Sequence, residues 1–200
     1  MFDEAARRRL AALAGPVART LAARGVTPNQ VTAVGLLLAL AAAGAIAAGY
    51  GWAGLGLWLV SRVADGLDGV LARAAHGGSP LGGYLDISAD MLAYSAMVLG
   101  FAWAHPAHGL LWDCVLAGYV LAITTTLSLA AAAEKTRRTV SDTDRSLQFT
   151  RGLAEAGETT LVYVVWAAFP AYIAWTGWAW VALLAATAVQ RTAMAVRVLR

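Results

Sequence analysis

Six stretches of this chain are apolar over the ~20 residues that a helix needs to cross a bilayer. They fall at about 29–49, 52–75, 82–104, 108–133, 153–175 and 178–198, with short connections between them. Backbone groups in lipid must find their hydrogen bonds inside the chain, which leaves helices or a closed barrel. Unbroken apolar runs, without strand-like alternation, select helices. Little of the 200 residues is left over, so the expectation is one membrane-embedded domain over 1–200 and no sizeable soluble domain. A hydrophobic share of 60% against 14% charged residues agrees. The predicted fold class is all-α integral membrane: six transmembrane helices preceded by an amphipathic interfacial helix.

That first helix is placed at 1–24. Leu10, Leu13, Val17 and Leu21 recur at helical spacing, Arg7, Arg8, Arg9, Arg19 and Arg24 can face anionic headgroups, and Gly15-Pro16 should bend it. The N-terminus has no apolar run ahead of a cleavage site, so no cleavable signal is expected. Thr27 is a suitable cap and Pro28 a suitable first residue for the first spanning helix. Turns are expected at 49–54, 104–109 and around Gly177; the connections at 49–54, 104–109 and 170–177 contain no Lys or Arg, whereas the opposite side holds nearly all fifteen. The positive-inside rule then puts both termini in the cytoplasm, in a cell (inner) membrane. Tyr50, Trp52, Trp103, Tyr172, Trp175 and Trp178 mark the outer interface. The net charge of +3 reflects these loops and does not argue for nucleic-acid binding, and the lone Cys114 excludes an internal disulfide.

Against this apolar background stand four aspartates. Asp65 and Asp68 lie in the second helix, Asp86 and Asp90 in the third. An ionised side chain at membrane depth costs a few kcal/mol and requires compensation. Asp65, Asp68, Gly69 and Ala72 share one helical face, as do Gly82, Asp86 and Asp90. The connecting loop is short, so the two helices should be antiparallel neighbours with their carboxylates converging near the cytoplasmic side. Converging carboxylates repel unless cations lie between them, and hard oxygen donors suit Mg²⁺, Mn²⁺ or Ca²⁺. Two such ions could hold a pyrophosphate. Gly66, Gly69, Ala72 and Gly82 leave room for it, and Arg73 can pair with phosphate oxygens. The same residues also fit an ion pathway in a transporter, or acids neutralised by Arg62 and Arg73 for packing. The outer halves of both helices are apolar, which argues against a through-path.

The residues Asp65-Gly66-Leu67-Asp68-Gly69-Val70-Leu71-Ala72-Arg73, eight further residues, then Gly82-Gly83-Tyr84-Leu85-Asp86-Ile87-Ser88-Ala89-Asp90 resemble the signature of the CDP-alcohol phosphotransferases, with every fixed position matched. Thr27 to Thr32 resembles the start of that family's first spanning helix. The resemblance implies a metal-dependent enzyme that transfers a phosphatidyl or other substituted phosphate group from a CDP-linked donor, often CDP-diacylglycerol, to an alcohol acceptor with release of CMP, in phospholipid biosynthesis. It implies two divalent cations, Mg²⁺ or Mn²⁺, on Asp65, Asp68, Asp86 and Asp90, with Asp90 also the general base. It implies donor contacts from Pro28, Asn29, Thr32, Gly69, Arg73 and Ser79, a cytoplasmic active site, and a homodimer among membrane lipids. A related activity, transfer of a CDP-bound polar group to diacylglycerol, fits the same motif.

The acceptor is less constrained. Arg151 sits just before the fifth helix, and Glu155 and Glu158 just inside it. Arg62, one turn before Asp65, needs a partner, which Asp65, Glu155 or Glu158 can supply. If these acids line the acceptor side, they disfavour a doubly anionic acceptor and favour a neutral polyol or one with an amine.

Overall fold

The computed structural model describes residues 15–74, 79–135 and 156–199. These form seven α-helices and two 3-10 turns, without a strand among the described residues. We number the helices α1 (15–23), α2 (Pro28–Ala47), α3 (Gly51–Ala74), α4 (Pro80–Ala104), α5 (Gly109–Lys135), α6 (Ala156–Ala168) and α7 (Ile173–Leu199). Four of the helical segments are long and apolar enough to cross a membrane: Pro28–Ala47, Pro80–Ala104, Pro106–Lys135 and Pro170–Leu199. At 24 residues α3 is long enough, but Arg62, Asp65, Asp68 and Arg73 interrupt its apolar character. The chain divides into two compact units, 1–104 and 105–200.

In the first unit, Thr27 caps α2 through a capping box. Its hydroxyl accepts from the Gln30 amide at 3.3 Å, and the Gln30 side chain accepts from the Thr27 amide at 2.9 Å. Pro28 occupies the first turn, where its missing N–H costs nothing. The helix stops before Gly49, whose φ of 85° is left-handed and suits glycine. Both α3 and α4 pack along α2. They meet each other through side chains, as Arg62 does with Asp90 and Trp58 with Tyr94, not by the close backbone packing that the short loop suggests. Against α4 the approach of α2 is tight: a Cβ on Gly100 would lie 2.6 Å from the Ala43 carbonyl oxygen. At the other end Ala18 of α1 is buried with Val31 and Leu71. The inward residue of α1 is thus the small Ala18, while Val17 is half exposed; Leu10 and Leu13 lie outside the described residues.

The second unit is knit by neutral polar contacts among large rings. The Tyr119 and Tyr163 hydroxyls lie 2.9 Å apart, and the Trp180 indole N–H donates to Tyr119 at 3.2 Å. Trp112 and Trp166 meet edge to face at 5.2 Å, and the Trp166 N–H donates to Thr176 at 3.0 Å. The turn before the last helix falls at Pro170–Tyr172, not around Gly177. Pro170 has no N–H to continue α6, whereas Gly177 is buried within α7, where a Cβ would lie 2.6 Å from Leu111. That glycine permits close helix packing instead of a turn. Arg191 is buried and donates to the Ala122 carbonyl at 2.9 Å.

Candidate metal and nucleotide site

The inward stripe of α3 is apolar at Leu55 and Trp58 and turns polar at Ser61; it closes again with Leu71. Arg62, Asp65, Asp68 and Gly69 belong to this polar middle, one turn after another. On α4, Gly82, Asp86, Asp90 and Tyr94 form the facing stripe at i+4 steps. The first turns of α2 bring Asn29 and Thr32 alongside.

The helices gather Asp65, Asp68 and Asp86 so that one carboxylate oxygen from each lies within 4.8 Å of the others. Asp68 is buried, at 6% exposure, Asp65 is half-buried and Asp86 is exposed. The Thr32 hydroxyl donates to Asp68 Oδ2 at 2.6 Å, with the Pro28 carbonyl also in reach at 3.2 Å. Thr32 therefore orients the most buried acid from a different helix. The donor set, carboxylate oxygens at close quarters, fits a hard divalent cation.

Asp90 stands apart from that trio. Its Oδ1 accepts from Arg62 Nη1 at 2.7 Å, and the same nitrogen is 3.7 Å from Asp65 Oδ1. The Arg62 guanidinium lies over the Trp58 ring at 4.4 Å and beside the Tyr94 ring at 5.4 Å, and Nε donates to Ser61 Oγ at 3.3 Å. Of the partners expected for Arg62, Asp65 is present as the longer contact; Asp90 supplies the shorter one. Arg151 and Glu155 lie outside the described residues, and Glu158 is an exposed first-turn residue of α6 in the second unit.

One motif glycine sits at a tight approach and another lies under a side chain. A Cβ on Gly82 would lie 3.2 Å from Ser79 Oγ and 3.4 Å from Asn29 Oδ1, so the start of α4 can approach the start of α2 only without a side chain there. A Cβ on Gly69 would lie 3.5 Å from Arg73 Nη1, so the guanidinium folds back over bare backbone. Ser79 has a local task, since its Oγ accepts from the Gly82 amide at 2.9 Å and caps α4. Beside the acids, a largely apolar cleft of about 230 Å³ lies between α2 and α4, lined by Asn29, Thr32 and Leu36 from α2 and by Leu85, Ser88 and Leu92 from α4.

A model of the family described as CDP-alcohol phosphatidyltransferase matches residues 25–194, almost the whole chain and both units. The chain belongs to that family. It is 34% identical over 176 residues to the inner membrane protein YnjF of Escherichia coli K12, covering 87% of this chain and 85% of that one. It is 34% identical over 99 residues to the phosphatidylinositol phosphate synthase of Mycobacteroides abscessus, covering 48% of this chain and 44% of that one. In fold it resembles the phosphatidylinositol phosphate synthase PgsA1 of Mycobacterium tuberculosis. The crystal structure with CDP-DAG bound gives a TM-score of 0.69 at 24% identity over 91% of this chain and 92% of that one. The same synthase in complex with manganese and citrate gives 0.70 at 23% identity over 91% and 88%.

This member of the family is thus a membrane-embedded transferase whose gathered acids can hold a divalent cation. Its signature acids are split by the structure into a gathered trio and an Arg-paired fourth. Sequence reasoning did not find Trp58, Tyr94 and Ser61 as the setting of Arg62. The signal was present, because Trp58 and Ser61 sit four and one residues before Arg62 and Tyr94 extends the Asp86, Asp90 stripe by one more step.

Proposed function

We propose that this chain transfers a phosphatidyl group from CDP-diacylglycerol to an alcohol and releases CMP, as a step of phospholipid synthesis. The observation that carries this reading is the acid motif on α3 and α4, three of its four aspartates gathered, beside a largely apolar cleft that shares Thr32 with the acids. The bound CDP-DAG of the Mycobacterium tuberculosis relative supports it. Arg73, with Gly69 beneath it, is the candidate contact for the donor's phosphates, and Pro28, Asn29 and Ser79 frame the same end. The apolar cleft suits an acyl chain.

Asp65, Asp68 and Asp86 would hold one divalent cation, Mg²⁺ or Mn²⁺, and Asp90 would contribute to a second. When bound, these ions would draw charge from the donor's pyrophosphate and so favour departure of CMP. Asp90 accepts the proton of the acceptor hydroxyl. The freed oxygen forms a bond to the phosphorus nearest the diacylglycerol, the bond from that phosphorus to the CMP oxygen breaks, and CMP leaves. Thr32 keeps Asp68 turned towards the trio.

We read residues 1–200 as one domain of six spans, with the first helix at the interface and both termini and the site facing the cytoplasm. The extent of the family match over both units and the inside-positive distribution of Lys and Arg support this. On this reading α3 crosses with its charges turned inward. The pairing of Arg62 with Asp90 removes the reason to match it with Glu155 or Glu158, so acceptor choice has to be read from activity. The test is CMP release by purified protein with CDP-diacylglycerol, Mg²⁺ or Mn²⁺, and glycerol phosphate, inositol phosphate, serine and neutral polyols supplied separately. Release that needs metal, one acceptor and Asp90 names the product. Release only when a CDP-linked polar donor meets diacylglycerol would replace the donor assignment, and no release with either would overturn the reading.

A further inference from the structure

Arg62 is not one of the eight signature positions, yet it makes the shortest ion pair at the site. A cation buried among acids in a membrane helix usually has one of two origins: it neutralises the acids for folding, or it occupies a place that another cation takes during function. The geometry distinguishes them. Nη1 lies 2.7 Å from Asp90 Oδ1 and 3.7 Å from Asp65 Oδ1. Any ion held jointly by those two oxygens has to enter the space this nitrogen occupies. The trio of Asp65, Asp68 and Asp86 shares Asp65 with it, and no ion pair joins Arg62 to Asp68 or Asp86 among the described residues. The acids are therefore divided unequally. One end is open to a metal ion, and the other already carries a positive charge.

The setting of the guanidinium lets it yield without leaving. Its side chain is 13% exposed, its flat face rests on Trp58, and Tyr94 and Ser61 offer further contacts at 5.4 Å to the ring and 3.3 Å to the hydroxyl. These contacts come from rings and a hydroxyl, not from acids. They can keep the cation solvated when the carboxylate turns away.

We propose that Arg62 is an internal cation that competes with the second divalent ion for Asp90 and Asp65, so that this enzyme loads its metals stepwise. The first ion enters the trio, where Arg62 pairs only with Asp65 and at the longer distance of 3.7 Å. The second binds only by taking Asp90 from Arg62. This rests on the acid cluster being the cation site described above, and deepens that reading by giving its two halves different affinities.

The experiment is titration of the full-length protein in detergent with Mn²⁺ alone, without donor or acceptor, following free Mn²⁺ by its EPR signal. Wild type should show one tight ion and a second at least about tenfold weaker, since removing one nearby like charge is worth at least that factor. In Arg62→Met and Arg62→Gln the second ion should tighten by about tenfold or more, and by more than the first, which meets Arg62 only through the longer contact at Asp65. Arg62→Lys keeps the charge and should keep the gap. Trp58→Leu keeps the charge of Arg62 but removes the ring that supports the guanidinium once Asp90 turns away, so the second ion should weaken further. That variant carries the test if the neutral ones cannot be purified. Unchanged second-ion affinity in the neutral variants, or loss of both ions from them as monodisperse protein, would overturn the proposal, the latter by showing that Arg62 supports metal binding. Wild type that binds no Mn²⁺ would sink the underlying metal-site reading instead.

Discussion

The two units use the same apolar composition for opposite ends. In the first, the inward faces of α3 and α4 carry Arg62 and four aspartates, and their polar atoms are met by one another, by Thr32 and by the Trp58 ring. In the second, the inward polar atoms of α5, α6 and α7 are mostly neutral hydroxyls and indoles meeting in pairs, as Tyr119 does with Tyr163 and Trp180. Charges in an apolar setting repel when left to themselves, so the first unit is held in a state that a ligand can improve. Neutral rings with matched donors and acceptors have little to gain from a ligand, and their work is packing. The contrast teaches that membrane helices of similar hydropathy are told apart by whether their buried polar groups complete each other.

That contrast can be broken by substitution. The largest effect is expected from Asp90→Asn, which should lower CMP release by a factor of about 100 to 10,000, as loss of a general base does. Its melting temperature in detergent should change little. A variant that unfolds but keeps its turnover per folded molecule would reverse the roles of the units. Trp166→Ala in the second unit should do the opposite. It removes a fully buried ring that contacts Trp112 and Tyr163, and should cost about 3–5 kcal/mol of stability. Turnover per folded molecule should stay near wild type, measured as CMP release normalised to monodisperse protein.

Two smaller changes sharpen the comparison. Thr32→Val removes the hydroxyl that donates to Asp68 with little change in shape. It should weaken Mn²⁺ binding about 10- to 100-fold, the usual effect of removing a group that orients a metal ligand. Equal Mn²⁺ affinity in Thr32→Val and wild type would show that Asp68 orients itself. Tyr163→Phe should have the smallest effect, about 1 kcal/mol of stability, because Tyr119 retains the Trp180 indole as a partner. It should leave metal binding and CMP release unchanged.

Much of the site was legible in the sequence because helical spacing turns residue numbers into faces. Asp65 and Asp68, one turn apart, had to share a face, as did Asp86 and Asp90, and the structure brings three of the four together. The capping of α2 by Thr27 and Pro28 was equally local and is present. Where a residue's role depends on what another helix presents to it, spacing is silent. Gly177 looked like a turn and is a packing contact with Leu111. Ser79 looked like a ligand contact, and in the structure its oxygen caps α4.

The sequence by itself determined that this chain is a helical membrane protein with a family's acid motif on two helix faces. Those properties depend on composition and on the fixed rise of a helix, which no partner alters. Only the tertiary structure decided that α2 is the common support of α3 and α4, that Thr32 orients Asp68, and that Arg62 rests on Trp58 with its charge on Asp90. These follow from distances between separate helices, and those distances are set by packing of bulky and small side chains along the whole length of each contact.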